Sequence, residues 1–275
     1  MQRKRIIAGA IAGLLLLGAC GDDGGGEDAT AETTTTEAPT TTEAATTTTL
    51  PPDSVWVAET KEDVSQIGVY AQPGDPDPTE PCQTWEGQGC LLENPKVVDD
   101  QGGSSPQVFL VDGMDVSGEW LPVWLPIPPN ESQAFIHADD VELYTHSYRI
   151  TVNQTNFTLT LTESEQPVIE TQVGLGRAGR ETRPGFYYTT ELLQSPNPGG
   201  AYGPFAYGIS GFAEDPEVIN EFGGSEGVAV LGIHGTNDPG ALGSAVSSGC
   251  MRVNNDAITQ MAETLPLGVP VEVVA

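Results

Sequence analysis

Basic residues are scarce in this chain of 275 residues, since 10 Lys and Arg stand against 39 Asp and Glu and the formal net charge is −29. A chain with this charge is poorly suited to bind the phosphate backbone of a nucleic acid. Hydrophobic residues make up only 38% of the chain, whereas 33 Gly and 22 Pro indicate long irregular segments. The composition therefore argues against a nucleic-acid-binding protein and against one compact globule.

The first apolar run has the pattern of an export signal. Three basic residues at positions 3–5 precede an apolar run over 6–17, which is too short to cross a bilayer as a finished helix. Residues 17–19 (Leu-Gly-Ala) lead to Cys20 and resemble a lipobox, the bacterial lipoprotein signal in which the peptidase cuts before a lipid-bearing cysteine. We predict a lipoprotein signal peptide over residues 1–19 and lipidation of Cys20. An ordinary signal peptide with an incidental cysteine is the alternative.

Residues 20–54 contain Gly, Asp, Glu, Ala, Pro and long Thr runs, without one basic residue. Such a composition cannot bury enough apolar area to fold. It predicts a disordered tether that spans on the order of 30 Å. A glycosylated stalk is compatible with the same residues.

Cysteine is rare as well, with four in the chain. Cys82 and Cys90 lie close together in a stretch rich in Pro and Gly, and in an exported protein such a pair is most often a disulfide. A metal site is the weaker interpretation because no nearby His or Cys completes a set of ligands. With Cys20 assigned to lipid, Cys250 stays unpaired in an oxidising compartment, and nucleophilic catalysis is the first candidate use of such a thiol.

Residues 55–146 show short apolar runs separated by turn residues, which predicts an all-β module. The runs at 108–111 and 119–123, the Pro-Pro-Asn turn at 128–130 and the segment 134–141 resemble a bacterial SH3-like small barrel. Such modules often bind cell-wall components, and a structural spacer is an equally good interpretation.

From residue 147 onward the pattern sharpens. Alternating apolar residues between 150 and 173 predict three strands of a β-meander, and a buried-strand pattern over 227–233 ends at His234. Sixteen positions later comes Cys250, followed by the pattern of one helix and a last strand. Both residues are thus expected next to regular structure.

The side chains of Cys250 and His234 are of the types that serve as a nucleophile and its general base. A neighbouring imidazole can take the proton of a thiol and stabilise the anion, and His234 is the only histidine after residue 146. Gly249 permits a turn in which consecutive N–H groups point to one place, as an oxyanion requires. Arg252 is suited to hold a carboxylate or to orient the loop.

Separated motifs in this order and at this spacing resemble the L,D-transpeptidase (YkuD-like) catalytic domain family. The motifs are Thr182-Arg183-Pro184-Gly185-Phe186-Tyr187-Tyr188, Tyr202-Gly203-Pro204-Phe205-Ala206, His234-Gly235-Thr236-Asn237 and Ser247-Ser248-Gly249-Cys250-Met251-Arg252. The resemblance covers residues 147–275. It implies a β-sandwich or barrel-like domain with one or two short helices, so the whole chain is predicted to be mainly β.

The resemblance also implies a role for each matching residue. Cys250 would be the acyl-accepting nucleophile, His234 the general base, and Gly235 the residue whose carbonyl orients the imidazole. The expected oxyanion hole consists of the amides of Ser248, Gly249 and Cys250, and the expected substrate-binding residues are Arg252, Ser247, Tyr202 and Arg183. The chain departs from the family at Ser248, where many members have a second histidine, and at Pro184, where the usual proline of the first motif is displaced.

The implied reaction is a two-step exchange without a metal or other cofactor. Cys250 would attack the third residue of a peptidoglycan stem peptide, release D-alanine and pass the acyl group to an amine of another stem. Transfer to water would make the protein an L,D-carboxypeptidase, and a catalytically silent wall-binding lipoprotein is the remaining alternative, against which the intact Cys250, His234 and Arg252 argue. A papain-like protease is disfavoured because there the cysteine precedes the histidine.

The same interpretation predicts where the protein works and with what. We expect a monomer that is lipid-anchored to the outer face of the cytoplasmic membrane, faces the cell wall and has peptidoglycan stem peptides as its partners.

Overall fold

The computed structural model describes residues 50–98, 103–222 and 227–275, which belong to one compact unit. The predicted signal peptide, Cys20 and residues 20–49 of the predicted tether lie outside the described residues. None of the helices in the described part of the chain is long and apolar enough to span a membrane.

The first sheet consists of five antiparallel strands from the predicted all-β module. In sheet order they are β8 (Gln133–His137), β7 (Trp120–Trp124), β6 (Val108–Val111), β1 (Val55–Thr60) and β9 (Val141–His146). Two-stranded sheets are formed by β2 (Gln66–Val69) with β3 (Cys90–Glu93) and by β4 (Lys96–Val97) with β5 (Ser104–Ser105). The resemblance of this part to an SH3-like barrel stays a prediction.

The core of the first sheet follows from the alternation of its strands. In β7, Leu121 and Val123 are fully buried, while the alternate residues Trp120, Pro122 and Trp124 are partly exposed. This alternation is expected for a strand with one face on a core. Phe109 and Ile136 complete the centre of this core. The predicted disulfide is present between Cys82 and Cys90.

The second sheet has eight strands, among them the last strand that the sequence predicts, and the predicted helix directly precedes that strand in the chain. In sheet order the strands are β12 (Gln166–Gln172), β11 (Thr158–Glu163), β10 (Tyr148–Asn153), β19 (Pro270–Val274), β14 (Gly185–Gln194), β15 (Phe205–Phe212), β16 (Val230–His234) and β18 (Met251–Arg252). A short pair, β13 (Leu175–Gly176) and β17 (Ala245–Ser247), lies apart from it. The α-helices in the described part of the chain are α1 (Pro216–Phe222) and α2 (Asn255–Thr264). The chain is therefore mainly β, as predicted.

The two sheets share a small apolar junction and several polar contacts. Tyr188 of β14 is fully buried against β1 and β6, and its hydroxyl lies 3.0 Å from the carbonyl oxygen of Trp124. The hydroxyl of Tyr144 on β9 donates to the Leu267 carbonyl at 3.1 Å. The chain passes from the first sheet to the second at Ser147, between β9 and β10.

His146 lies at this junction, and its protonation should weaken the fold. Burial lowers the pKa of His146 to about 4, although the Gly268 carbonyl 3.3 Å from its Nε2 acts in the opposite direction. The unfolded chain, with a histidine pKa of about 6.5, then binds more protons than the folded chain between these two values. The free energy of unfolding should thus fall as the pH drops from about 6.5 to about 4, by about 3 kcal/mol for this residue.

Denaturant unfolding at a series of pH values measures this dependence. His146→Gln keeps a donor near Gly268 but removes the titrating ring, so the variant should lose a substantial part of the slope. An unchanged slope in the variant would contradict the role given to His146.

Candidate active site

The second sheet places Cys250 and His234 at the ends of two neighbouring strands. His234 is the last residue of β16, and Cys250 immediately precedes β18. These strands are parallel, and their register pairs Ile233 with Met251 and His234 with Arg252. Cys250 accordingly lies beside Gly232, whose backbone makes a hydrogen bond to the thiol. His234 and Cys250, sixteen positions apart in the sequence, are thus brought to two neighbouring strands.

The turn after His234 is fixed by a close approach of two glycines. A Cβ on Gly235 would lie 3.0 Å from the Cα of Gly203 and 2.4 Å from Oδ1 of Asn255, so a larger residue does not fit. The same Asn255 oxygen, at the start of α2, accepts a hydrogen bond from the Thr236 amide at 2.8 Å. The motifs around Gly203 and Gly235 are thus two halves of one packed turn.

His234 is oriented by the carbonyl of the next residue. Its Nδ1 lies 2.6 Å from the Gly235 carbonyl oxygen, and because a carbonyl only accepts, Nδ1 carries the proton. In the neutral ring Nε2 is then left as the acceptor. Burial lowers the pKa of His234 to about 4, the Gly235 carbonyl opposes this shift, and the charge of Arg252 adds to it. The imidazole is therefore neutral at physiological pH and ready to accept a proton.

Cys250, the predicted nucleophile, is the unpaired cysteine within the described ranges. Burial raises the pKa of its thiol, and the hydrogen bond from Gly232 and the charge of Arg252 offset this only in part. The resting pair is thus a thiol and a neutral imidazole. Attack by the sulfur must be coupled to proton transfer, as in general-base catalysis.

Most of the predicted site residues line one cavity of about 540 Å³. They are Cys250, His234, Arg252, Ser247, Ser248 and Tyr202. The ring of Tyr202 is 4.7 Å from that of His234, and burial raises its pKa, with a smaller contribution from the nearby Cys250. A buried Nε on Arg252 has no hydrogen-bond partner among the described residues. Within those residues no cluster of three or more His, Cys, Asp or Glu is arranged to hold a metal.

The loop before Cys250 is held by hydrogen bonds of its own. Gly249 has a φ of +115°, which an L side chain rarely adopts, and its amide donates to Oγ of Ser247 at 3.1 Å. The Gly249 carbonyl accepts from Oγ1 of Thr182, the first residue of the first motif, at 2.7 Å. Of the three amides predicted to form an oxyanion hole, that of Gly249 thus already has an acceptor within the loop.

Ser248 is held by two arginines that the sequence did not connect with it. Its hydroxyl accepts from Nη1 of Arg177 at 3.2 Å and from Nη1 of Arg180 at 3.1 Å. Arg180 is paired in turn with Glu221 and Glu217 of α1. The position at which many family members have a second histidine is thus a hydroxyl between two guanidinium groups.

Arg183 is placed differently from the other predicted substrate-binding residues. Its side chain is 56% exposed, pairs with Glu214 at 3.1 Å and does not line the cavity. The remaining predicted residue, Gly235, acts on the cavity through His234.

Removing the charge of Arg252 should raise the pKa of both Cys250 and His234. The cation favours the thiolate and disfavours the imidazolium, so Arg252→Gln shifts both equilibria toward the protonated form. The pH dependence of alkylation by iodoacetamide reports the thiol, and an NMR titration reports the imidazole. Arg149→Gln on β10 is the matched control and should change neither, while a fall of either pKa in Arg252→Gln would refute the assignment.

Comparison with known proteins identifies the family of the second sheet. The family model of the L,D-transpeptidase catalytic domain, YkuD, matches residues 147–273. The YkuD protein of Bacillus licheniformis is 32% identical over 126 residues, which are 46% of this chain and 65% of that protein. The YkuD protein of Bacillus subtilis is 31% identical over 130 residues, 47% of this chain and 68% of that protein. The chain spans about two thirds of the length of these relatives.

A solved L,D-transpeptidase from Mycobacterium tuberculosis H37Rv is a more distant match. It is 14% identical, and the matched part covers 62% of this chain and 90% of that one with a TM-score of 0.39. The family is established by the model match and by the Bacillus subtilis relative. The chain belongs to the L,D-transpeptidase (YkuD) catalytic domain family.

Proposed function

We propose that this protein is a peptidoglycan L,D-transpeptidase that forms cross-links in the cell wall through an acyl-enzyme on Cys250. The observation that carries the proposal is the register of β16 and β18, which sets the thiol and a correctly oriented neutral imidazole in one cavity. Membership of the family supports the substrate class, stem peptides of peptidoglycan. The proposed enzyme class is a cysteine acyltransferase.

The first half-reaction loads the enzyme. As Sγ of Cys250 attacks the carbonyl of the third stem residue, its proton passes to Nε2 of His234. The oxygen of the tetrahedral intermediate is stabilised by the amides of Ser248 and Cys250, with Gly235 holding the other ring nitrogen. The imidazolium then protonates the departing amine, D-alanine leaves, and a thioester remains on Cys250.

The second half-reaction transfers the acyl group. An amine of another stem attacks the thioester while His234 takes its proton, and the thiolate leaves and recovers that proton. Because an amide bond is formed as a thioester is consumed, no nucleotide is needed. Arg252 has a guanidinium nitrogen without a partner among the described residues and is proposed, with Ser247 and Tyr202, to hold the stem peptide.

We also propose that the protein is a lipoprotein attached through Cys20 to the outer face of the cytoplasmic membrane. The support is the sequence alone, namely the lipobox-like residues before Cys20 and the acidic Thr-rich segment after it. Such a tether would let a membrane-bound enzyme reach a polymer above the membrane.

Product analysis tests the proposed reaction. The full mature chain carrying Cys20→Ser, incubated with tetrapeptide muropeptides, should give dimers that have lost one D-alanine, detected by mass spectrometry. Cys250→Ala should give none, and His234→Gln should lower the rate by roughly 10²–10⁴-fold because the general base is lost. His146→Gln is the matched control with a changed histidine outside the cavity.

The other products have distinct meanings. Monomeric tripeptides without dimers would replace the transpeptidase with an L,D-carboxypeptidase. Unchanged muropeptides would contradict both activities and favour a catalytically silent wall-binding protein.

A further inference from the structure

Glu191 shares the catalytic cavity but takes no part in the proposed chemistry. The register pairs Glu191 of β14 with Gly208 of β15, and Gly208 with Gly232 of β16. Since Gly232 lies beside Cys250, these four residues form one row across the sheet, and all four line the cavity. Adjacent strands are about 4.8 Å apart, so the Cα atoms at the two ends of the row are separated by about 14 Å.

The two central positions of the row have no side chains, which leaves a trough between the thiol and the carboxylate. The Glu191 carboxylate occupies the space above Gly208, because a Cβ built there would lie 1.9 Å from its Oε1. The carboxylate thereby approaches the nucleophile by one strand and lies about 10 Å from the Cα of Cys250. A peptide laid along the trough would lie over backbone without side chains, with the Cys250 thiol at one end and the Glu191 carboxylate at the other.

The two oxygens of Glu191 have different surroundings. Oε2 accepts hydrogen bonds from Nζ of Lys96 and from Oγ1 of Thr190. The register shifts between Thr189 and Glu191, and such a bulge re-aims the neighbouring side chains. With Oε2 bound on one side, Oε1 is the oxygen that lies over Gly208 in the trough.

Lys96 comes from the first module, 95 residues away in sequence, and is partly buried in this contact. Its neighbour Val98 also lines the cavity. The segment around β4 therefore contributes Val98 to the wall of the catalytic cavity, and its Lys96 binds the Glu191 carboxylate. A carboxylate has about four acceptor positions, so this contact leaves capacity for another donor.

We infer that Glu191 determines substrate specificity by binding a free amino group of the donor peptide that lies over Gly232, between Cys250 and the carboxylate. This inference rests on the proposed function, which places the reacting carbonyl at Cys250. An extended peptide advances roughly 3.3 Å per residue, so the amino group lies within about three residues of the attacked bond. An ammonium group donates a charge-assisted hydrogen bond to Oε1. Lys96 is a positioning residue that fixes the carboxylate.

The test compares two donors that differ in one charge. Isothermal titration of the Cys250→Ala chain with a stem tetrapeptide bearing a free side-chain amine should give a Kd roughly tenfold lower than with the same peptide acetylated on that amine. Glu191→Gln should remove this preference. Glu170→Gln, an exposed acid on the edge strand β12, is the matched control and should keep it.

A double variant tests whether the loss of preference in Glu191→Gln comes only from a destabilised fold. Glu191→Gln with Lys96→Met removes both charges and leaves no buried lysine without its partner, and it should lose the preference as well. In the active enzyme, Glu191→Gln should raise KM for the free-amine donor much more than KM for the acetylated donor. A purely structural role would impair both donors equally and would overturn the inference.

Failure of the inference is distinguishable from failure of the proposed function. Equal affinity for the two peptides in the Cys250→Ala chain would refute the role of Glu191 and leave the transpeptidase proposal standing. Binding of neither peptide would overturn both.

Discussion

The parallel pairing of β16 with β18 is the constraint on which the site depends. It fixes Cys250 beside Gly232 and His234 beside Arg252, so that thiol, imidazole and guanidinium occupy one end of the sheet. Burial then keeps the first two groups neutral, because it raises the pKa of the thiol and lowers that of the imidazole to about 4. The pair is arranged for proton transfer during attack and does not rest as an ion pair.

The remaining features of the catalytic domain support this arrangement from two sides. Gly203, Gly235 and Asn255 pack the turn after His234, and Thr182 and Ser247 hold Gly249 before Cys250. Each motif found in the sequence thus stabilises the backbone next to His234 or next to Cys250. Tyr144, His146 and Lys96 of the first module make hydrogen bonds to the catalytic domain. Val98 of the same module lies in the cavity wall. The cavity is consequently built from both parts of the described chain.

Much of this could be predicted from the sequence, because the information is local. Alternating apolar residues predicted the meander of β10–β12, and a buried run followed by His-Gly-Thr predicted a histidine at the end of a strand. The spacing of cysteines predicted the disulfide between Cys82 and Cys90, which the structure contains. Strands β13 and β17 could not be predicted, since both are short and lie in segments rich in Gly, Ser and Arg.

What could not be predicted depends on contacts between distant residues. Only the fold shows that Arg177 and Arg180 both donate hydrogen bonds to Ser248. Glu191 carries no signal in the sequence, because its meaning comes from a bulge, from Gly208 opposite and from Lys96 in another module.

The most direct test of the account is to find the acyl group on Cys250. The chain is mixed with a stem tetrapeptide, quenched in acid within the first turnover, digested and mapped by mass spectrometry. We expect a tripeptide acyl group, the donor less D-alanine, on the peptide that contains Cys250, and the same amount of it in the control variant His146→Gln. Turnover with no adduct on Cys250, or with an adduct on another residue, would contradict it.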